Sequence, residues 1–243
     1  MFPFPCPLPA DDALARRAAV KSAVLDAFPQ LGHIPVSKLP ADALPRLLYL
    51  YDQAFFQCLF ADRLPGLHLA ATSRMTRCAG KFCVTQERGH DPVTEIRMSS
   101  DFLFRLREGP FTVNGLSAAD PLEAFMLVFE HELCHAAEWA LTGSCDAHQA
   151  VFRALSRGLF HHRTCTHSLP TRAQEAAVQG VGVGAHVCFP YCEKNLTGIV
   201  SRVGKTASVM VPARGGVWHD KRGRRYDKYT VPLSLLTPLK TPR

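Results

Sequence analysis

Apolar and polar positions follow a helical period in the first part of the chain and a β-type period after it. Apolar residues spaced near 3.6 apart over residues 10–28 and 44–60 predict two helices, separated by a proline-rich stretch. Extended stretches are indicated at about 67–74, 81–86 and 95–99. We expect these three stretches to form a small antiparallel meander.

A long amphipathic helix is predicted next, from Pro121 to Thr142. Its start is marked by Asp120 as N-cap, with proline at N1 and Glu123 at N3. Gly143 can adopt the left-handed conformation that commonly ends a helix. The apolar residues at helical spacing are Leu122, Phe125, Met126, Phe129 and Leu133.

The last quarter of the chain changes to short β-type runs separated by turn-forming residues. This pattern predicts a small all-β, barrel-like module of the SH3, Tudor or KOW kind. The runs cover residues 185–189, 198–203, 207–211, 226–231 and 231–236.

Composition narrows the class of protein. An apolar fraction of 47% in 243 residues is typical of a globular protein with one large domain or two small ones. No apolar run reaches membrane-spanning length, and the N-terminus shows no signal peptide. The nine cysteines are an odd number without a C-x-x-C pair, which argues against a secreted disulfide framework. We expect a cytoplasmic monomer that is not secreted, with association to the nucleoid or nucleus left open.

Positive charge is concentrated at one end of the chain. Residues 180–243 carry 11 Lys and Arg against 3 acidic residues (net +8), and residues 1–179 carry 17 against 18 (net −1), which together give the +7 of the whole chain. A concentrated positive patch attracts polyanions, and nucleic acid is the usual one in a cell. The alternative is a solvated basic hairpin that only keeps the protein soluble. The candidate DNA contacts are Lys221, Arg222, Arg224, Arg225 and Lys228, with Trp218, Tyr226 and Tyr229 among them.

The candidate chemistry lies in the segment His131-Glu132-Leu133-Cys134-His135, in the second half of the long helix. Two histidines at i and i+4 project from one helix face and can bind one metal ion. Glu132 is offset from that face, where it can meet a water molecule rather than the metal. The spacing predicts hydrolysis by a zinc-activated water, with Glu132 as the general base. The alternative is a pair of satisfied histidines on an ordinary helix.

A zinc site of this kind needs a third protein ligand, and His148 is the candidate. We expect a second helix to begin at Asp146 as N-cap, with Gln149 at N3 and His148 in the first turn. The predicted ligand set for one zinc ion is therefore His131, His135 and His148. The alternative for His148 is a surface histidine at a helix N-terminus.

Four stretches, in order along the chain, resemble those of one known family. They are residues 51–56, rich in aromatic residues; 73–80 (Ser-Arg-Met-Thr-Arg-Cys-Ala-Gly); 95–99 (Glu-Ile-Arg-Met-Ser); and 131–135 with 148–152 (His-Gln-Ala-Val-Phe). The chain resembles the SprT-like zinc metalloproteases, which include bacterial SprT and the DNA–protein crosslink protease Spartan. The similarity covers about residues 40–170, with Gln149 where the family commonly has glycine.

The fold class expected from the periodicity and the resemblance is α+β. Helices pack on a small antiparallel sheet with a zincin-type metal helix, and a barrel-like module follows. The predicted organisation is an N-terminal helical extension (1–40), the SprT-like domain (41–167), a linker (168–184) and the basic module (185–243). In zinc peptidases of this build an edge strand can pair with substrate backbone. Residues 81–86 or 95–99 are the candidates.

A further group of potential ligands precedes the predicted linker. His161, His162, Cys165 and His167 resemble a histidine-containing stretch that follows the third ligand in bacterial SprT-like sequences. One interpretation is a second metal site formed by His162, Cys165 and His167. The other, in which these side chains cap the second helix or flank the cleft, is favoured because structural zinc sites usually need four ligands at defined spacing.

The sequence thus predicts a zinc-dependent metalloendopeptidase with a protein substrate and no membrane partner. The family resemblance implies action on DNA-bound proteins, as in DNA–protein crosslink repair, with the basic module contacting DNA. Two alternatives stay open: a non-proteolytic zinc-containing adaptor that binds nucleic acid, and a peptidase that acts on soluble proteins without DNA.

Overall fold

The computed structural model describes residues 6–36, 38–107, 109–145, 148–166 and 169–239. The chain divides into two compact units, Met1–Leu169 and Pro170–Arg243. In the described part of the first unit the helices are α1 (Ala10–Ala27), α2 (Ala43–Tyr51), α3 (Leu59–Arg63), α4 (Ser100–Arg105), α5 (Pro121–Thr142) and α6 (Ala150–Phe160). Its strands are β1 (His68–Thr72), β2 (Gly80–Thr85), β3 (Val93–Ser99), β4 (Phe111–Val113) and β5 (Leu116–Ala118).

The long helix α5 has the bounds that its capping residues predict. Asp120 accepts a hydrogen bond from the Glu123 backbone N–H at 2.9 Å, and Gly143 ends the helix with a φ of +71°. Pro121 occupies a first-turn position, where its missing N–H leaves no hydrogen bond unmade. Fifteen residues of α5 are buried, so this helix forms the centre of the first unit's core rather than an amphipathic surface helix.

The sheet beside α5 differs from the predicted meander. Its strand order is β1-β3-β2, with β1 parallel and β2 antiparallel to β3. The mixed pairing corrects the prediction of an antiparallel sheet. A local hairpin brings β3 back along β2, and β1 then pairs with the other side of β3, a non-local choice that strand patterns do not encode.

The helix predicted over residues 44–60 is interrupted. A π-helical turn spans Asp52–Phe56, and Gln57 and Cys58 follow with positive φ angles. The buried Asp52 carboxylate accepts hydrogen bonds from the backbone N–H groups of Phe60 and Ala61, each at 3.0 Å. These bonds satisfy the start of α3 and stabilise the break.

Residues 1–40 do not form a separate extension in the described part of the chain. Val20 and Val24 of α1 are buried in the same apolar core as Phe129 of α5. Arg17 of α1 is also buried and pairs with Glu130 of α5. The N-terminal helix is therefore part of the first unit.

The second unit contains α7 (Arg172–Val178) and one six-stranded sheet in the order β11-β6-β7-β8-β10-β9. Its strands are β6 (His186–Tyr191), β7 (Lys194–Val203), β8 (Thr206–Pro212), β9 (Trp218–His219), β10 (Arg225–Pro232) and β11 (Thr237–Pro238). Helix α7 lies within residues 168–184, where the sequence predicted only a linker, and Ala176 joins the core of this unit.

No closed barrel is seen among the described residues of the second unit, which corrects the barrel prediction. The predicted closing strand over 231–236 is broken, because a 3-10 turn forms at Leu233–Leu235 and only the short β11 pairs with β6. Pro232 and Pro238 lack the N–H that a longer ladder would use. Throughout the described ranges, no helix has both the length and the apolar character that crossing a membrane requires.

Candidate metal centre

Three histidines from two segments meet on one face of α5. His131 and His135 lie one helical turn apart on α5, and His148 approaches from the turn before α6. One nitrogen from each ring lies within 4.8 Å of the others. The Phe152 ring packs against all three imidazoles, with centroid distances of 4.4 to 4.9 Å. We call these three residues the histidine cluster.

His148 reaches the cluster from a position that the sequence did not predict. It lies before α6, which begins at Ala150, and its φ is +57°. The prediction that it lies in the first turn of that helix is therefore wrong. The predicted N-cap, Asp146, lies outside the described residues, and Gln149 occupies the N-cap position of α6. The left-handed backbone at His148 turns its side chain towards α5 instead of continuing the helix.

The spacing of the ring nitrogens suits a metal ion. His148 Nε2 and His131 Nε2 are 3.2 Å apart. Two nitrogen ligands of a tetrahedral zinc ion lie about 3.3 Å apart when each Zn–N bond is about 2.05 Å. Burial, with the nearby His148 ring, lowers the pKa of His135 to about 4, so this imidazole is neutral and available as a ligand near pH 7.

Glu132 is buried next to the cluster and lines the same cavity as His131 and His135. Burial raises the pKa of its carboxyl to about 7, against the opposing hydrogen bond from the Phe82 backbone N–H. Gly80 lies so close that a Cβ at this position would be 2.6 Å from Glu132 Oε1. A pKa near neutrality suits a group that both accepts and returns a proton.

A cavity of about 320 Å³ opens between the cluster and strand β2. Its lining residues are Gly80, Lys81, Phe82, His131, Glu132, His135 and Cys145. Strand β2 lies at one edge of its sheet, whereas β3 lies at the centre. Of the two stretches that the sequence offered for pairing with a substrate, 81–86 therefore has an open edge and 95–99 has none.

Comparison with known protein families identifies the family of this chain. The model of the SprT-like family matches residues 44–173, more than half of the chain. The chain belongs to the SprT-like family. The prediction made from the four motif stretches is thereby confirmed, and together with the histidine cluster it indicates a metalloprotease-like domain that can bind a metal. No curated protein matches the chain.

This SprT-like domain carries a second buried polar group on the opposite side of α5. Glu130 accepts hydrogen bonds from Arg17 at 2.6 and 2.9 Å, from Tyr51 at 2.8 Å and from His162 at 2.9 Å. Burial would raise the pKa of Glu130, but the bond from His162 and the charge of Arg17 outweigh it and hold the pKa below its usual value. We call these four residues the paired cluster.

The paired cluster accounts for part of the histidine-containing stretch after α6. His162 contacts Glu130, and His161 ends α6, with its Nε2 2.8 Å from the Leu8 carbonyl oxygen. Cys165 lines a cavity of about 140 Å³ beside Glu132, and His167 lies outside the described residues. No described residue of this stretch enters a group with metal-ligand spacing.

The candidate DNA contacts of the second unit lie in and after the turn between β9 and β10. Asp220 accepts hydrogen bonds from the backbone N–H groups of Arg222 and Arg224 and pairs with the Arg224 guanidinium at 2.8 Å. The Lys228 ammonium lies 4.9 Å from the centre of the half-exposed Trp218 ring. Lys221 is exposed in the same turn.

Arg224 and Arg225 line a cavity of about 590 Å³ in this unit together with Arg214 and His186. Arg214 and His186 were not singled out from the sequence, because they are distant along the chain from the densest basic run. Gly80 and Glu138 near the metal centre were missed as well. Glu138 follows His135 by three residues, a spacing that could have indicated it.

Proposed function

We propose that this chain is a zinc-dependent metalloendopeptidase in which His131, His135 and His148 hold one zinc ion and Glu132 is the general base. The observation that carries the proposal is the combination of three converging imidazoles with a buried carboxylate on the same cavity. Its membership of the SprT-like family supports the same reaction class. Three imidazole nitrogen ligands and an open cavity are typical of catalytic rather than structural zinc sites.

The donor set favours zinc over the other common ions. Imidazole nitrogen suits zinc, copper, iron and nickel, whereas magnesium and calcium prefer oxygen ligands. When bound, zinc would supply Lewis-acid chemistry, since it polarises a peptide carbonyl and makes water more acidic.

The protein's own residues then divide the work of peptide hydrolysis. Glu132 accepts the proton of the attacking water at its carboxylate and returns it to the leaving amine. The Phe82 backbone N–H holds the carboxylate in place, and the absence of a side chain at Gly80 leaves room for it. Phe152 fixes the three imidazole rings by packing.

The open edge of β2 is the proposed platform for the substrate. Its residues Gly80, Lys81 and Phe82 line the cavity beside Glu132, so an extended peptide that pairs with this strand would run past the catalytic carboxylate. Backbone pairing of this kind recognises extended chains with little dependence on sequence. It therefore fits an endopeptidase that acts on unfolded segments of many proteins.

The test is cleavage of a DNA-binding protein by the wild-type chain and by Glu132→Gln. Because Gln keeps the size of the side chain but cannot accept a proton, the variant should bind zinc like the wild type and lose cleavage by at least about 100-fold. The matched control is Glu123→Gln on an outer turn of the same helix, which should keep its activity. Full cleavage by purified Glu132→Gln would overturn the assignment.

We further propose that the second unit brings the enzyme to DNA through Lys221, Arg222, Arg224, Arg225 and Lys228, so that the substrates are DNA-associated proteins. The support is the net charge of +8 over residues 180–243 and the arginine-lined cavity. Binding of single- and double-stranded DNA by the full chain is measured over a salt series. Absence of binding even at low salt would favour the alternative function, a peptidase that acts on soluble proteins without DNA.

A non-proteolytic adaptor is the second candidate function. It requires the zinc site to be closed by a fourth protein ligand, whereas the described residues contribute three histidines to the group. Cobalt substitution distinguishes the two, because a fourth protein ligand and a solvent molecule give different visible spectra. Stimulation of cleavage by DNA would exclude the adaptor and the DNA-independent peptidase together.

A further inference from the structure

A second group of potential ligands lies against the outer side of the histidine cluster. His135 Nδ1 is 3.4 Å from Cys145 Sγ and 4.0 Å from Glu138 Oε2. The three ligand atoms all lie within 4.8 Å of one another. Because Nδ1 of His135 faces this group, its other nitrogen, Nε2, is the one left for the histidine cluster.

The end of α5 brings these residues together. Glu138 lies one turn after the metal-binding face and Gly143 ends the helix with left-handed backbone. The Gly143 N–H donates to the Trp139 carbonyl at 2.8 Å, and the chain turns back so that Cys145 meets His135. The carbonyl groups of the last helical turn also give this end of α5 a partial negative charge, which favours a cation.

We propose that His135 Nδ1, Glu138 and Cys145 form a second metal site, one that takes a thiophilic divalent ion such as zinc and inhibits cleavage when it is filled. Around a tetrahedral zinc ion, nitrogen and sulfur ligands lie about 3.6 Å apart, and nitrogen and carboxylate oxygen about 3.4 Å apart. The observed distances from His135 Nδ1 are 3.4 Å to Cys145 Sγ and 4.0 Å to Glu138 Oε2. They are close enough to these values for a side-chain rotation to complete the site.

The ligand chemistry supports the same ion. A thiolate with an imidazole nitrogen and a carboxylate selects zinc over magnesium or calcium, and the negative charges of these ligands offset that of a divalent cation. Metal binding displaces the thiol proton and the Nδ1 proton to solvent. His135 then bridges the two ions through its two nitrogens. Cys145 is exposed, which gives the second ion a path of entry, whereas Glu138 is buried.

The inhibitory role rests on the proposed protease function. Cys145 lines the same cavity as Glu132 and His135, so an ion held there stands in the cavity that a peptide must enter. We therefore expect excess zinc to switch off the proposed endopeptidase activity.

The test titrates cobalt(II) alone into the metal-free full chain under a reducing, thiol-free buffer. The first equivalent should give visible bands without a thiolate-to-cobalt charge-transfer band, and that near-ultraviolet band should grow with the second equivalent. Cys145→Ser should lose the band and Glu138→Gln should weaken the second step about tenfold or more. The control Cys6→Ser, an exposed cysteine outside both groups, should behave like the wild type.

Three outcomes would overturn the proposal: no thiolate band, a band that Cys145→Ser retains, or a band that develops with the first equivalent. The last would mean that Cys145 closes the first site. The second readout is the ratio of cleavage in excess zinc to cleavage at one equivalent, which should be well below one for the wild type and return close to one for Cys145→Ser. A cobalt result as expected in a chain that cleaves nothing would refute the protease proposal and keep the site.

Discussion

Helix α5 carries two buried carboxylates with different surroundings, Glu130 in the paired cluster and Glu132 beside the histidine cluster. Glu130 in the paired cluster has hydrogen bonds from three side chains, and its pKa is held below the usual value. Glu132, two residues away, has the Phe82 backbone N–H and a cavity, and burial raises its pKa to about 7. One cluster neutralises a buried charge, and the other keeps a carboxylate poised to exchange a proton. The same helix thus carries a stabilising site and the proposed catalytic one.

Two single variants, Glu130→Gln and Glu132→Gln, should separate the stabilising role from the proposed catalytic role most strongly. Glu130→Gln leaves Arg17 buried without its counter-charge and should lower the free energy of unfolding by about 3–5 kcal/mol. Glu132→Gln removes a costly buried charge and should change the free energy of unfolding by at most about 1 kcal/mol, the net value of one hydrogen bond. Urea denaturation of both variants measures the difference.

Cleavage assays on the Glu130→Gln and Glu132→Gln variants at low temperature test the difference between the two carboxylates further. Folded Glu130→Gln should still cleave, whereas Glu132→Gln should not. Equal losses of stability in the two variants would show that the paired cluster is not the more structural of the two.

The two clusters also contain histidines with contrasting surroundings. His148→Ala removes a proposed ligand and should weaken zinc binding by more than about 100-fold, a larger effect than loss of a second-sphere partner. His162→Ala removes a bond to Glu130 and should lower the midpoint of unfolding while zinc affinity stays within a few fold. Calorimetric zinc titration and thermal unfolding are measured on both variants. Tight zinc binding by His148→Ala would remove it from the ligand set.

Gly80→Ala probes the position of the Glu132 carboxylate without removing any group that we propose for catalysis. The added methyl would lie 2.6 Å from Glu132 Oε1 and 2.9 Å from the Val128 side chain, so the carboxylate must move. A displacement near 1 Å should reduce kcat by about 100-fold, with zinc affinity unchanged. Gly66→Ala is the control, since no atom lies within 4 Å of the added methyl group there. Normal activity of Gly80→Ala would mean that the carboxylate position is not critical.

Local signals in the sequence were sufficient for the helix that carries the site. Asp120, Pro121 and Gly143 determine both ends of α5 through capping and backbone geometry, and each acts within a few residues of itself. The converging position of His148 was foreseen from its spacing and residue type, but its left-handed backbone before α6 was not, because the turn depends on packing against α5.

Non-local features could not be derived in the same way. The order β1-β3-β2 depends on which strand packs beside α5. The break after Asp52 depends on a carboxylate that reaches backbone groups eight and nine residues later. The pairing of Arg17 with Glu130 joins residues 113 positions apart, so α1 looked like an independent extension. In each case the decisive partner is distant in sequence, and periodicity carries no information about it.

The contrast between paired and unpaired groups extends to the arginines of the second unit. Of the effects that we predict, the one on the salt dependence of DNA binding is the smallest. Arg224 is paired with Asp220, whereas among the described residues no ion pair joins Arg222 to an acidic side chain. If DNA binds here, Arg222→Ala should reduce the slope of log affinity against log salt by about 0.9, one phosphate contact, and Arg224→Ala by less. Duplex binding by the full chain at four salt concentrations measures both slopes. Equal slopes would mean that Asp220 releases Arg224 on binding, so that pairing in the free protein does not limit which charges reach the phosphates.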